Sequence, residues 1–148
     1  MNPSMPQAAN RTVRALVLGL ALAPGLASAQ ALPKATEAKV ASALGATPDY
    51  FDLFWAPSPE RDLALAIAHY PGGGNSAMIA AGLFRIEGGQ MSLIGPVEIF
   101  GEEPRDVKFS KGRIEVTTTM PRPDDPRCCP TGSTRWMIDR KTLEVTEG

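Results

Sequence analysis

The sequence predicts a mainly β protein, an antiparallel meander of about seven or eight short strands with one short N-terminal helix. Three observations predict it. From residue 50 onward, apolar residues recur with the period of two that half-buried strands require. Turns rich in glycine and proline interrupt this alternation at short intervals, and no helical pattern lies between the strands. A twisted sheet, a half-open barrel and a small sandwich all fit this pattern.

Residues 1–29 have the three-part layout of a secretory signal peptide. Arg11 and Arg14 supply positive charge ahead of an apolar run, residues 15–23. Residues 27–29, Ala-Ser-Ala, form the cleavage signal. The apolar run is shorter than the ~20 residues that a membrane span needs. We therefore expect cleavage near Ala29, no retained transmembrane segment, and a periplasmic or secreted location.

Residues 30–49 form an alanine-rich lead-in with a short helix. Thr36 can cap this helix, which then runs to Leu44 and ends at Gly45. Its apolar face is narrow, so we expect either a helix packed on the edge of the domain or a partly ordered lead-in. Residues 50–148 then form a single β domain large enough to bury a modest core.

The strand pattern begins with an aromatic segment and ends at the C-terminus. In the second segment, residues 62–70, alanines occupy one face of the strand, and larger apolar residues and His69 occupy the other. The small alanine side chains suggest that another layer approaches their face closely. The polar residues 101–105 are interpreted as a corner, and residues 107–120 as the clearest hairpin. The strand segments are residues 50–55, 62–70, 77–86, 91–94, 97–100, 107–109, 114–120 and 134–138, with 143–145 closing the chain.

Composition excludes several classes of function. The formal net charge is −1 and no basic cluster is present, so we expect no nucleic-acid partner. His69 is the only histidine, and two cysteines cannot complete a Cys₂His₂ or Cys₄ zinc site. The chain carries no nucleophile elbow, phosphate-binding glycine loop or calcium loop. We expect no catalytic residues, no cofactor and no metal, with His69 acting as a hydrogen-bonded strand residue.

Cys128 and Cys129 lie in a proline-rich segment of the exported part, where disulfides persist. Four interpretations stay open. A structural disulfide between the two neighbours, which stiffens the loop, is favoured. A redox-active disulfide is the second, since strained disulfides are reduced more readily. Bonds to other chains and a soft-metal site are the others; the thioethers of Met91, Met120 and Met137 are available for a metal such as copper.

Residues 125–131, Asp-Pro-Arg-Cys-Cys-Pro-Thr, are followed by Arg135 and Trp136. This stretch resembles an Asp-Pro-x-Cys-Cys-Pro-[Ser/Thr] motif of uncharacterised small bacterial exported proteins, among them the LppP/LprE-type lipoproteins. The resemblance covers about the last third of the chain. It implies an envelope location and no particular mechanism. This chain differs from the lipoproteins because it has no cysteine for lipid attachment near residue 29.

The sequence therefore predicts an exported, non-enzymatic domain that binds a protein or a small envelope component. The alternative is a thiol redox or soft-metal-handling protein that uses the cysteine pair. Arg135 should point away from Trp136, because neighbouring strand residues face opposite sides. The residues expected at the binding surface are Asp124, Asp125, Arg127, Thr131 and Arg135.

Overall fold

The computed structural model describes residues 26–74 and 76–148, which form nine strands and one helix. Most of the predicted signal peptide, residues 1–25, lies outside the described residues. The helix is α1 (Lys34–Ala43). The strands are β1 (Leu26–Ala27), β2 (Asp52–Pro57), β3 (Leu63–Pro71), β4 (Ala77–Glu87), β5 (Gln90–Val97), β6 (Glu102–Phe109), β7 (Arg113–Met120), β8 (Gly132–Asp139) and β9 (Val145–Glu147). No helix among the described residues has the length and apolar character needed to cross a bilayer.

The strands form two antiparallel sheets. The first sheet has the order β2-β3-β4-β5, and the second has the order β1-β6-β7-β8-β9. Each sheet is a meander of consecutive strands, except that β1 joins the second sheet on the outer edge of β6. The mainly β, antiparallel prediction is confirmed. The described residues form nine strands and not seven or eight, because β1 was not predicted and the closing segment pairs as β9.

The inner faces of the two sheets share one apolar core. Strand alternation supplies it: Leu65 and Ile67 of β3 face inward from the first sheet, while Val116 and Trp136 face inward from the second. Side chains that meet between two sheets in this way define a small sandwich. The buried residues of this core are Ala56, Leu65, Ile67, Ala81, Leu83, Val97, Ile99, Val107, Phe109, Ile114, Val116, Trp136 and Ile138.

Helix α1 covers the outer face of the first sheet. Val40 of the helix packs in a second cluster with Trp55, Ala64, Ala66 and Phe84. The alanines of β3 leave space for this extra layer, as their pattern predicted. The helix thus lies over a sheet face and not on the edge of the domain, because Val40 is buried by packing against the apolar residues of that face.

The predicted start of the helix was wrong. The helix begins at Lys34, and Thr36 lies inside its first turn. The carbonyl of Pro33 accepts hydrogen bonds from the backbone N–H groups of Thr36 and Glu37 at 2.9 Å each, and no side chain caps this end of the helix. The predicted end was right, since Gly45 has φ +79°, which favours glycine.

Two strand boundaries also differ from prediction. Residues 97–100 do not form a strand of their own, because only Val97 is paired, as the last residue of β5. The expected corner at residues 101–105 largely belongs to β6, with irregular pairing to β7 between Glu102 and Lys108. Glu103 and Asp106 have φ of 49° and 55° there. Such bulges bend a strand while keeping it in its sheet, which explains how a polar, turn-like sequence remains paired.

Candidate functional site

The chain passes from the first sheet to the second through residues 98–101, and both sheets hold this crossover. From the second sheet, the Thr118 hydroxyl donates to the Phe100 carbonyl at 2.6 Å. The Trp136 indole N–H donates to the Thr118 hydroxyl at 2.8 Å and approaches the Phe100 carbonyl at 3.2 Å. The Phe100 ring packs edge-on against Trp136, with centroids 5.9 Å apart. Phe100 is therefore fixed at the rim of the sandwich, although its side chain is 54% exposed.

His69 of β3 holds the crossover from the first sheet. Its Nε2 lies 3.1 Å from the Gly101 carbonyl, and its Nδ1 lies 3.2 Å from the Asp52 carboxylate. The predicted hydrogen-bonded strand histidine is confirmed, and it is buried. His69 of β3 therefore lies between Asp52 of β2 and the Gly101 carbonyl of the crossover.

The loop that joins β7 to β8, residues 121–131, carries both cysteines and is named the cysteine loop. Asp125 organises it. One carboxylate oxygen accepts the backbone N–H groups of Arg122 and Thr131 at 2.7 and 2.6 Å, and the other accepts the Thr131 hydroxyl at 2.7 Å. These donors lower the pKa of Asp125 below its ordinary value of 3.8, with the Arg122 N–H as the largest cause. Asp125 and Thr131 thus tie the two ends of the loop together.

The sulfur atoms of Cys128 and Cys129 lie at disulfide distance within this loop. Their Cα atoms are 3.8 Å apart, the spacing of a trans peptide. The backbone N–H of Cys129 donates to the Pro126 carbonyl at 3.0 Å, which closes a turn around the pair. Both cysteines are exposed. The two neighbouring cysteines are thus paired with each other.

The cysteine loop lies against a cavity of about 280 Å³, which we name the loop pocket. Arg127 and Pro130 of the loop form part of its wall, and His69 and Gly101 form another part. Apolar side chains supply most of the rest: Met78, Ile79, Phe100, Met120 and Pro121. The pocket therefore combines an apolar surface with one guanidinium group, that of Arg127, and one carboxylate, that of Glu102.

Exposed apolar residues concentrate around the loop pocket. A neighbouring cavity of about 290 Å³ includes Phe51 and shares His69, Ala77 and Glu102 with it. Of the five large apolar side chains that are exposed in the described residues, three border these two cavities: Phe51, Met78 and Phe100. Clustering of this kind marks binding surfaces more often than scattered exposed residues do.

The predicted binding residues separate into three groups. Arg127 lines the loop pocket, and Asp124 is exposed on the same loop. Asp125 and Thr131 bond to each other within the loop. Arg135 is exposed opposite buried Trp136, as predicted, and lines a different depression of about 240 Å³ on the outer face of the second sheet. A role of these five residues in binding stays a prediction.

Sequence reasoning did not nominate Met78 or Phe100. Each lies beside a glycine segment, residues 72–74 for Met78 and Gly101 for Phe100. An apolar side chain close to a turn is a weak indication of exposure, and it is the only sequence feature that pointed to these two residues. The pocket itself could not be read from the sequence, because its walls come from segments up to 61 residues apart, His69 to Pro130.

The described residues contain no group of three or more histidine, cysteine, aspartate or glutamate side chains arranged to hold a metal ion. No protein-family model, curated protein or solved structure matches this chain. The likeness to exported proteins with the cysteine motif therefore remains an expectation from residues 125–136.

Acid should loosen the cysteine loop, and Asp125→Asn should abolish this response. The pKa of Asp125 is lowered by folding, so its contribution is present at neutral pH and is lost as the pH falls below 3.8 through the lowered pKa. The amide resonance of Thr131, followed by NMR, should shift over that acid range. Asparagine can still accept from the two N–H groups through its amide oxygen, but it carries no charge and no acidic proton, so the Thr131 resonance should differ already at neutral pH and should not titrate.

Asp139→Asn is the matched control for the loop. Asp139 accepts the N–H groups of Lys141 and Thr142 at 2.8 Å each in the β8–β9 turn, and its pKa is lowered for the same reason. This variant should leave the titration of Thr131 unchanged. If the Thr131 resonance had the same shift and the same titration in Asp125→Asn as in the wild type, the role assigned to Asp125 would be contradicted.

Proposed function

We propose that this chain is an exported, non-enzymatic domain of the cell envelope, periplasmic or secreted, that binds a protein segment or a small envelope component in the loop pocket. Export is supported by the signal-peptide layout of residues 1–29. The binding role is carried by one observation: Arg127 and Pro130 of the cysteine loop line the same cavity as the exposed Met78 and Phe100.

The walls of the pocket favour a ligand with an apolar body and an anionic or carbonyl oxygen that binds Arg127, while the carboxylate of Glu102 can accept an N–H or O–H donor of the same ligand. Met78, Phe100 and Met120 offer apolar surface, and the methionine side chains adapt to ligands of different shape. Arg127 offers several N–H donors in a planar fork, which suits a carboxylate or carbonyl group. A peptide with a large apolar side chain, or a small amphipathic acid, has this chemistry.

The pocket is also held in position before any ligand arrives. The bonds from His69 and Thr118 fix the crossover on one side, and the Asp125 clamp fixes the loop on the other. Pro126 and Pro130 restrict the loop further. A pocket formed in advance loses less conformational entropy on binding, which favours affinity.

Photo-cross-linking in cells tests this site without knowledge of the ligand. A photoreactive phenylalanine analogue at position 78 should yield an adduct of defined mass, and Arg127→Ala should reduce its yield several-fold. The same analogue at Ile94, which is 40% exposed on β5 and lies away from the loop pocket, is the control and should give little adduct. Equal yields at positions 78 and 94, or a yield that Arg127→Ala does not change, would remove the loop pocket as the binding site.

The exposed cysteine pair supports a second candidate, thiol redox or soft-metal handling. Both cysteines are accessible, and the thioethers of Met78 and Met120 line the adjacent pocket with His69. Once a thiol reductant has opened the disulfide to two thiolates, these and the thioether and imidazole groups suit Cu(I). Intact mass with alkylation, before and after exposure to a periplasm-like redox buffer, tests thiol exchange, and dialysis against Cu(I) tests retention of the metal. A pair that stays oxidised and a protein that retains no copper would exclude this candidate.

A further inference from the structure

Strand β1 occupies the outer edge of β6, and the predicted processing would remove it. Leu26 pairs with Lys108 and Ala27 with Val107 in antiparallel register, and Ala27 packs against the core between the sheets. Cleavage near Ala29 would release both residues. Gln30, the first residue then kept, is fixed to the other sheet, since its backbone N–H donates to the Trp55 carbonyl at 2.8 Å. Processing would thus uncover β6 while the new N-terminus stays anchored to β2.

We propose that removal of β1 allows β6 to pair with β6 of a second copy of this chain. The inference rests on the export and cleavage proposed above. An uncovered edge strand presents unpaired N–H and C=O groups to any extended chain. β1 demonstrates that the edge at Val107 and Lys108 accepts an antiparallel strand.

The irregular shape of β6 restricts where a second strand can pair. Its register against β7 shifts between Glu102 and Arg105 and again between Arg105 and Lys108. Bulges of this kind limit regular pairing along an edge. The end of the strand around Val107 and Lys108, where β1 sits, is therefore the segment available for pairing.

The faces of β6 and its charges select one register at this segment. Val107 is buried on the inner face, while Lys108 is exposed on the outer face. Directly opposite residues of paired strands point to the same face of the sheet. In a symmetric antiparallel pair the two-fold axis therefore passes beside a single residue, which here is Val107 or Lys108, and this residue lies opposite its own copy. Centring on Lys108 would oppose two lysines, which is unfavourable. Centring on Val107 brings Lys108 close to Asp106 of the second copy. Asp106 lies at the bulge, with φ 55°, but its side chain lines the same outer depression as Lys108, and the two-fold symmetry repeats this pair.

The surroundings of Lys108 fit the same arrangement. Leu26 lines the outer depression together with Asp106, Lys108, Glu115 and Arg135. Removal of Leu26 leaves a surface with two acidic and two basic side chains. Such a surface can place opposite charges against a second copy of itself, whereas a surface of one charge would repel it. Arg135, which the sequence placed at a binding surface, would then lie beside the interface between copies.

Sedimentation equilibrium tests the proposal on the protein purified from the cell envelope. The processed wild-type protein should form a concentration-dependent dimer. Lys108→Asp should weaken the dimer roughly tenfold, because two opposite-charge pairs become like-charge pairs, and the double variant Asp106→Lys with Lys108→Asp should regain it. Ala29→Phe should block cleavage, since the −1 position of the cleavage site requires a small residue. The uncleaved precursor should stay monomeric when both proteins are measured in one mild detergent.

Two further measurements distinguish a failure of the proposed processing from a failure of the proposed edge pairing. Intact mass reports the N-terminus: residues retained before Gln30 would overturn the processing on which this inference rests. A processed protein that is monomeric at every concentration would overturn the edge pairing alone, as would a double variant that does not regain the dimer. If Lys108→Asp fails to fold, carbodiimide coupling of wild-type Lys108 to Asp106 of a second copy replaces it. Coupling of Lys108 to a different polypeptide would overturn self-pairing.

Discussion

Replacement of Gly101 by alanine should destabilise the domain by about 3 kcal/mol or more, through backbone strain combined with a steric clash. Gly101 has φ +100°, a region that side chains rarely adopt. An added Cβ would lie 2.6 Å from the Thr119 carbonyl oxygen and 2.6 Å from the Thr118 hydroxyl. A backbone carbonyl in a paired strand cannot move away easily. Chemical denaturation of the two proteins measures the loss in the free energy of unfolding.

Gly112→Ala provides the control for this substitution. Gly112 lies in the β6–β7 turn, where an added Cβ meets no atom within 4 Å and the backbone does not require glycine. We expect a change within about 0.5 kcal/mol, as for most surface substitutions. Comparable losses for the two variants would show that the crossover does not depend on a glycine at position 101. The Gly101 variant should also lose adducts at position 78, because the crossover forms one wall of the loop pocket.

Trp136→Ala should cost about 3–5 kcal/mol, the range for a large aromatic residue removed from a core. Trp136 is 5% exposed and belongs to the core that both sheets share. Its loss leaves a cavity and removes the edge-on contact with Phe100 as well as the indole donor to Thr118. Domains of this size are stable by only about 5–15 kcal/mol, so the midpoint of denaturation should fall markedly.

Trp136→Phe separates packing from hydrogen bonding. Phenylalanine keeps most of the ring but loses the indole N–H, so the expected cost is about 1–2 kcal/mol. The Thr118 hydroxyl still donates to the Phe100 carbonyl in this variant. If Trp136→Phe were as damaging as Trp136→Ala, hydrogen bonding rather than packing would dominate at this position.

The fold was largely predictable because local rules determine most of it. Alternation along β3 identified its core face from Leu65 and Ile67, and the alanines opposite indicated the layer that α1 provides. The errors arose where two local tendencies compete. Glu102–Asp106 carries turn-forming polar residues, yet pairing with β7 retains it in the sheet. The helix start was misplaced because the pattern predicts Thr36 as a side-chain cap, whereas the helix begins directly after Pro33 with no side-chain cap.

The candidate site was less predictable, because it depends on contacts distant in sequence. Arg127 was identified from its loop, but its proximity to Met78 and Phe100 follows from how the sheets stack. Arg135 is only a few residues from Thr131 and yet lies at a different cavity, since it belongs to the outer face of β8. Asp125 illustrates a further limit: a carboxylate that looked free in the sequence is occupied by three donors.

The bond between adjacent cysteines closes a ring within a single dipeptide. A crosslink restricts the denatured chain more when the loop that it encloses is longer, with a logarithmic dependence on loop length, and this one encloses the shortest length available. Its opening therefore changes the global folding equilibrium little, while it alters the dipeptide that adjoins Arg127 and Pro130. Thiol chemistry at this position is thus energetically separate from the integrity of the sandwich, and its consequences are confined to one wall of the cavity.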